Sequence, residues 1–216
     1  MAAKKVFWQD PYLTEATARV VSLGPQEVAL DRTIFYAFAG GQESDSGTIG
    51  GREVLKAEKR GLEIYYTLAS TKGIFEGDEI QVTIDWDRRY SLMRLHFAAE
   101  LVLEIVNQRF EKPLKIGAHI APRKARIDFV WEGSIARIFP VLQRELDRFI
   151  EADRPIVSTF SDEALEERYW EIVGFARVPC GGTHLRSTGE IGPVKLKREN
   201  IGKGKERIEI FLAVTG

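Results

Sequence analysis

The sequence predicts an α+β protein: a small β-barrel-like module over residues 1–86, then an α+β module over 87–216 with helices and an antiparallel sheet. Three observations predict it. The first 86 residues hold five short runs rich in Val, Ile, Tyr and Leu, each closed by turn residues, which is the pattern of a small barrel or sandwich. Residues 87–110 then switch to an apolar repeat of helical period. The remainder alternates strand-like runs with a second helical pattern.

Taken in order, the first strands are expected at 16–23, 27–30, 52–58, 62–68 and 79–85. Clusters such as Gly24-Pro25 and Lys59-Arg60-Gly61 turn the chain between them. The long helix follows at 87–110, with Asp87 as its N-cap and Pro113 beyond its end. Its stripe is Leu92, Leu95, Ala99, Val102, Leu103, Val106 and Phe110. Strands at 116–120 and 125–130 flank an Ala-Pro-Arg-Lys turn, and a second helix is expected at 135–152 with Ser134 as N-cap. A strand at 155–160, a short helix at 161–169 and strands at 174–178, 194–198 and 207–214 complete the chain.

Composition narrows the function. The chain has 216 residues, 44% hydrophobic and 29% charged, which is the balance of a soluble globular protein. It holds no run approaching the ~18 apolar residues of a membrane span. The N-terminus lacks the long apolar segment of a secretory signal, so a cytoplasmic protein with no membrane partner is expected. The single cysteine, Cys180, forbids an internal disulfide. A net charge of −1 argues against a chain-wide grip on a polyanion, so any nucleic acid must meet local basic clusters. Those clusters are Arg88, Arg89 and Arg94; Arg123, Lys124 and Arg126; and the densest, Lys195, Lys197, Arg198, Lys203, Lys205 and Arg207. No serine-hydrolase elbow, Walker loop or dinucleotide fingerprint is present.

Only three histidines occur, His96, His119 and His184. His96 and Glu100 stand at i and i+4 on the long helix, which stacks both side chains on one face. Cys180 and His184 repeat that spacing across Cys180-Gly181-Gly182-Thr183-His184, where the glycines indicate a loop. A thiolate with imidazoles suits tetrahedral zinc, whereas magnesium and calcium want oxygen. Spacing alone leaves an ordinary packed histidine and a small buried cysteine as the competing reading.

Longer motifs shift that balance. The segment Cys180-Gly181-Gly182-Thr183-His184-Leu185-Arg186-Ser187-Thr188-Gly189-Glu190-Ile191-Gly192 resembles the C-terminal metal motif of alanyl-tRNA synthetase editing domains. Glu206-Arg207-Ile208-Glu209-Ile210 with Ala213-Val214-Thr215-Gly216 is similar to their closing strand. Phe35-Tyr36-Ala37-Phe38-Ala39-Gly40-Gly41-Gln42 and Asp45-Ser46-Gly47 look like their glycine-rich segment. Arg94-Leu95-His96-Phe97-Ala98-Ala99-Glu100-Leu101 matches the helical metal motif, and Arg126-Ile127-Asp128-Phe129 the central strand. The whole resembles the free-standing alanyl-tRNA editing family (AlaX) in its medium-length form.

The resemblance implies a zinc-dependent deacylase holding one Zn2+ per chain. It acts in trans on tRNA(Ala) charged with serine or glycine, with Ser-tRNA(Ala) foremost. His96, Cys180 and His184 keep the family's ligand types, but Glu100 stands where the family has a second helical His. Glu100 is either the fourth ligand or a base beside a three-ligand site. His119 falls where relatives place a polar residue lining the aminoacyl pocket, and Thr183 and Gln42 are further substrate-pocket candidates. Two alternatives stay open: editing of Ser-tRNA(Thr), and a non-catalytic tRNA-binding module stapled by zinc. The oligomeric state is left open.

Overall fold

The computed structural model describes residues 3–213, so the end of the expected last strand, at Val214, lies outside the described residues. The chain forms two compact units that divide between Tyr90 and Ser91.

The first unit contains β1 (Lys4–Lys5), β2 (Glu15–Leu23), β3 (Glu27–Leu30), β4 (Arg32–Thr33), β5 (Gly47–Ile49), β6 (Arg52–Arg60), β7 (Glu63–Leu68) and β8 (Glu79–Ile84). Six of these strands close into a barrel in the order β2-β3-β7-β6-β5-β8. Register shifts between Val20 and Ser22 and between Val54 and Lys56 supply the extra twist that closing so short a sheet demands. Alternate residues point inward and fill it, among them Val20, Val28, Leu30, Ile49, Tyr66, Leu68 and Val82. The barrel strand missed by the sequence pattern is β5, three residues long; the two-residue strands β1 and β4, which pair with each other, were missed as well. Gly47 is essential to it, because a Cβ there would sit 2.0 Å from the Thr83 carbonyl oxygen of β8.

Helix α1 (Trp86–Arg109) starts one residue earlier than expected. Asp85, not Asp87, caps it: the Arg88 N–H donates to Asp85 Oδ1 at 3.1 Å. The expected single apolar stripe is also too narrow. Leu92, Met93, Leu95, Phe97, Ala98, Ala99, Leu101 and Val102 are all buried, so this part of the helix is covered on every side, whereas Leu103 and Phe110 are not fully buried.

The second unit continues with β9 (Lys115–Ala121), β10 (Lys124–Val130), α2 (Phe139–Glu151), β11 (Val157–Asp162), β12 (Glu167–Ile172), β13 (Ala176–Pro179), β14 (Val194–Gly202) and β15 (Lys205–Leu212). Two antiparallel sheets result, β14-β15-β10-β9 and β11-β12-β13. In the larger sheet one face carries Ala125, Ile127, Phe129, Ile208 and Ile210 into the core. The second helix is shorter than expected, because Pro140 has no N–H to continue an upstream α-turn. Ile135–Ile138 is therefore a 3-10 turn, and Ser134 makes no side-chain cap. The expected short helix at 161–169 is instead a hairpin. Arg168, Trp170 and Ile172 are buried at every second position, which pins β12 as a strand, and the Leu165 N–H donates to Asp162 Oδ1 in the turn. Among the described residues no helix is long and apolar enough to cross a membrane.

Candidate metal centre

Three elements of the second unit deliver the site. Helix α1 presents His96 and Glu100 one turn apart. Strand β12 anchors the loop after β13, since the Cys180 N–H donates to the Arg168 carbonyl at 2.8 Å. The far end of that loop is clamped by β-bridging of Ser187 to Pro155 and by the Ile156 N–H donating to the Arg186 carbonyl at 2.8 Å. The Glu190 carboxylate then accepts from Arg186 N at 2.9 Å and Ser187 N at 3.2 Å, closing the turn behind His184. Gly192 finishes the clamp at φ 66°, where a Cβ would lie 2.7 Å from the Arg94 guanidinium that donates to the Ile191 carbonyl.

The side chains converge as the spacing anticipates. His184 Nε2 lies 3.2 Å from Cys180 Sγ, and His96 Nε2 lies 3.5 Å from the same sulfur. The ligand atoms of His96, Cys180 and His184 all lie within 4.8 Å of one another. Glu100 reaches two of the three: its Oε1 is 3.3 Å from His96 Nε2 and 3.8 Å from Cys180 Sγ. Tetrahedral donors at zinc bond lengths of about 2.0–2.3 Å stand about 3.3–3.6 Å apart, so this donor set fits one zinc ion.

Two residues that sequence reasoning missed orient the set. Trp170 Nε1 donates to Glu100 Oε2 at 3.1 Å, which leaves Oε1 for the cluster. Ser158 Oγ lies 2.9 Å from His184 Nδ1, so a ligating Nε2 leaves an Nδ1–H to donate to that hydroxyl. Phe97 packs edge-on to Trp170 with ring centroids 5.1 Å apart and so fixes the indole. A period of two through Arg168, Trp170 and Ile172 was the available signal for Trp170.

The electrostatics fit a buried cation. Burial draws His96 down, yet the Cys180 sulfur and the Glu100 carboxylate outweigh it and push its pKa up to about 10. His184 goes the other way, held well below the usual value by burial and by the charges of His96 and Arg168, so it offers a neutral lone pair. Burial opposes ionisation of Glu100, but its bonds to His96 and Trp170 prevail and keep it below the usual carboxylate range. Arg168, itself buried, is pulled down to about 10 by desolvation against the opposing pull of Cys180.

The other expected site residues fall as follows. Thr183 is buried next to His184 in the loop. His119 lies on β9 in register with Arg126 of β10. Gln42 belongs to the barrel unit and is buried; its backbone pairs with Ala39 across a two-residue turn in which Gly40 and Gly41 have φ of 59° and 89°. Two of the expected tRNA-facing arginines are engaged within the barrel unit instead. Arg89 is fully buried, donating to Asp45 Oδ1 at 2.8 Å and to the carbonyls of Pro11 and Ile34, while Arg88 pairs with Glu43 at 2.8 Å.

Comparison with known proteins gives these observations a context. Residues 171–209, which contain the Cys180–His184 loop, match the family described as the threonyl and alanyl tRNA synthetase second additional domain. Part of the second unit is thus similar to an additional domain of threonyl and alanyl tRNA synthetases. An alanyl-tRNA editing protein AlaX-M from Pyrococcus horikoshii is 32% identical over 97% of this chain and 97% of its own length. Its counterpart from Saccharolobus solfataricus is 32% identical over 95% of this chain and 97% of its own. An alanine–tRNA ligase from Methanococcus maripaludis is 31% identical over 94% of this chain, which corresponds to 25% of that enzyme. The chain belongs to the alanyl-tRNA editing protein AlaX-M family.

Proposed function

We propose that this chain is a trans-acting, zinc-dependent aminoacyl-tRNA deacylase that removes serine, and as a second substrate glycine, from tRNA(Ala). The observation that carries the reading is the His96–Cys180–His184 cluster, with both histidines buried and Cys180 half-buried, and with Glu100 at its edge, in a chain of the alanyl-tRNA editing family. A synthetic site built for alanine cannot strongly exclude glycine, or serine with its one added hydroxyl, since such differences give only ~10–200-fold discrimination. A second site that hydrogen-bonds the serine hydroxyl rejects alanine strongly, because a buried polar group is left unpaired when alanine binds.

In this reading His96, Cys180 and His184 would hold the ion, with Glu100 either as its fourth ligand or as a base beside a three-ligand site with an open position. A zinc ion bound there supplies Lewis acidity toward the ester carbonyl or toward water. Trp170 holds the Glu100 carboxylate and Ser158 holds the His184 ring. Thr183, His119 and Gln42 are the candidates for contacting the aminoacyl end. The ester is hydrolysed without an acyl-enzyme.

The test combines metal analysis with deacylation of Ser-tRNA(Ala), Gly-tRNA(Ala), Ala-tRNA(Ala) and Ser-tRNA(Thr). Release of serine from tRNA(Ala) with Ala-tRNA(Ala) spared is expected, and hydrolysis of none of the four would defeat the proposal. Preference for Ser-tRNA(Thr) would reassign the substrate. Cys180→Ala should lose zinc. Glu100→Gln separates its two roles: loss of zinc marks a ligand, and retained zinc with lost hydrolysis marks a base.

A further inference from the structure

The twelve basic residues marked by the sequence are not equivalent once folded. Arg88 and Arg89 are engaged inside the barrel unit, and Arg94 holds the Ile191 carbonyl. On the larger sheet, Lys124 pairs with Glu209, Arg126 and Arg207 share Asp128, Arg207 also takes Glu199, and Arg198 takes Glu206. Every carboxylate on β10 and on the β14–β15 hairpin is therefore already matched. Five remain, exposed and without an ion pair among the described residues: Arg123 stands apart in the turn between β9 and β10, and the other four are the lysines Lys195, Lys197, Lys203 and Lys205. Strand β10 and the β14–β15 hairpin with its turn together carry eight basic and four acidic residues, an excess of positive charge in a chain whose net charge is −1.

Their placement is linear. Strand β14 is the outer strand of its sheet, and Lys195 and Lys197 point to the same face, opposite Phe211 and Glu209 of β15. Lys203 lies in the hairpin turn and Lys205 opens β15, so the four charges follow one edge for about 25 Å. Charge on an outer strand also blocks sheet-to-sheet association, but that role needs no excess of one sign. Within the hairpin one aromatic residue, Phe211, shares this face, and it is only half-exposed. A row of lysines without stacking rings suits a phosphate backbone rather than splayed bases.

We infer that the β14–β15 hairpin is the surface that grips the sugar-phosphate backbone of double-helical RNA, here the paired acceptor end of the tRNA. The identity of that RNA rests on the deacylase reading; the location of the grip does not. The experiment measures binding of uncharged tRNA(Ala) by fluorescence anisotropy at several salt concentrations, for the wild type and for Lys195→Gln/Lys197→Gln/Lys203→Gln/Lys205→Gln. Loss of four phosphate contacts should flatten the log–log salt slope by about 3, from ~0.7–0.9 per contact. Zinc content and melting temperature should not change, because the four side chains are exposed and unpaired. An unchanged slope would overturn the inference even if the wild type deacylates Ser-tRNA(Ala). Binding with the expected loss of slope, but no deacylation, would uphold it and defeat the deacylase reading. Equal affinity for single-stranded RNA, or for phosphatidylserine vesicles, would also overturn it.

Discussion

At the scale of single residues, the site was legible where the sequence is sparse. One cysteine and three histidines leave few ways to assemble a soft-metal site, and the spacing of His96 to Glu100 and of Cys180 to His184 marked both halves. Trp170 and Ser158 were not legible, because nothing in sequence separation ties residue 170 to residue 100 or 158 to 184. Their role has a consequence. Trp170→Phe keeps the ring against Phe97 but removes the N–H that holds Glu100 Oε2, and zinc affinity should fall by ~10–100-fold, read by competition with a chelating dye. An affinity within twofold of the wild type would remove Trp170 from the metal's support. The pH dependence follows from His96. Its pKa is raised to about 10, so in the metal-free protein it carries a proton throughout pH 6–8, and that proton must leave when a cation enters. Zinc affinity should therefore rise with pH, by ~tenfold per unit for one proton released. Calorimetry in buffers of different ionisation heat counts the proton directly; a count of zero would contradict the raised value.

At the scale of elements, period and turn chemistry identified most strands and both helices, and the failures share a cause. Residues 161–169 are rich in good helix formers, yet pairing of β12 with both β11 and β13 makes them a hairpin. Helix α1 was read as one-sided because a stripe is all that a surface helix needs, whereas its middle is covered all round. Buried charge pairs were equally unreadable. Asp45 and Arg89 lie 44 residues apart and are both fully buried in the barrel unit, where Asp45 also accepts from Tyr36 N at 2.6 Å. Asp45→Asn leaves the guanidinium buried without its counter-charge and should cost about 3–5 kcal/mol, measurable by urea unfolding. A loss below about 1 kcal/mol would mean that the arginine finds water there. On the hairpin, Glu206 ties Arg198, Asn200 and Ile135 N together, and its bond to Arg198 leads in holding its pKa down to about 2 against desolvation. A carboxylate lowered on folding stabilises above its unfolded value, near 4.5, and loses that contribution as pH falls toward 2. Glu206→Gln should thus lower the melting temperature at pH 7 and converge with the wild type near pH 2. A constant offset across that range would exclude charge as the cause.

At the scale of the molecule, the candidate metal centre and the barrel belong to different compact units. His96, Glu100, Ser158, Trp170, Cys180 and His184 all lie after Ser91, on elements separated by up to 88 residues of chain. A cation held by His96, Cys180 and His184 would join α1 to the loop after β13, a long-range cross-link within the second unit that Ser158 of β11 and Trp170 of β12 support. Binding to the folded state stabilises it by mass action, by about 2.7 kcal/mol when free zinc is one hundred times its dissociation constant. The barrel has its own closed ring of strands and its own core, and no residue of the cluster belongs to it. Removal of metal with a chelator should consequently raise amide hydrogen exchange in the second unit, most around 156–160, 168–172 and 180–191. The barrel strands β2, β3, β6 and β7 should keep their protection. Peptide-resolved exchange before and after chelation makes the comparison within one sample. Equal loss of protection in barrel and cluster would show that the ion supports the whole chain as one cooperative block, and the assignment of its stabilising effect to the second unit would fall.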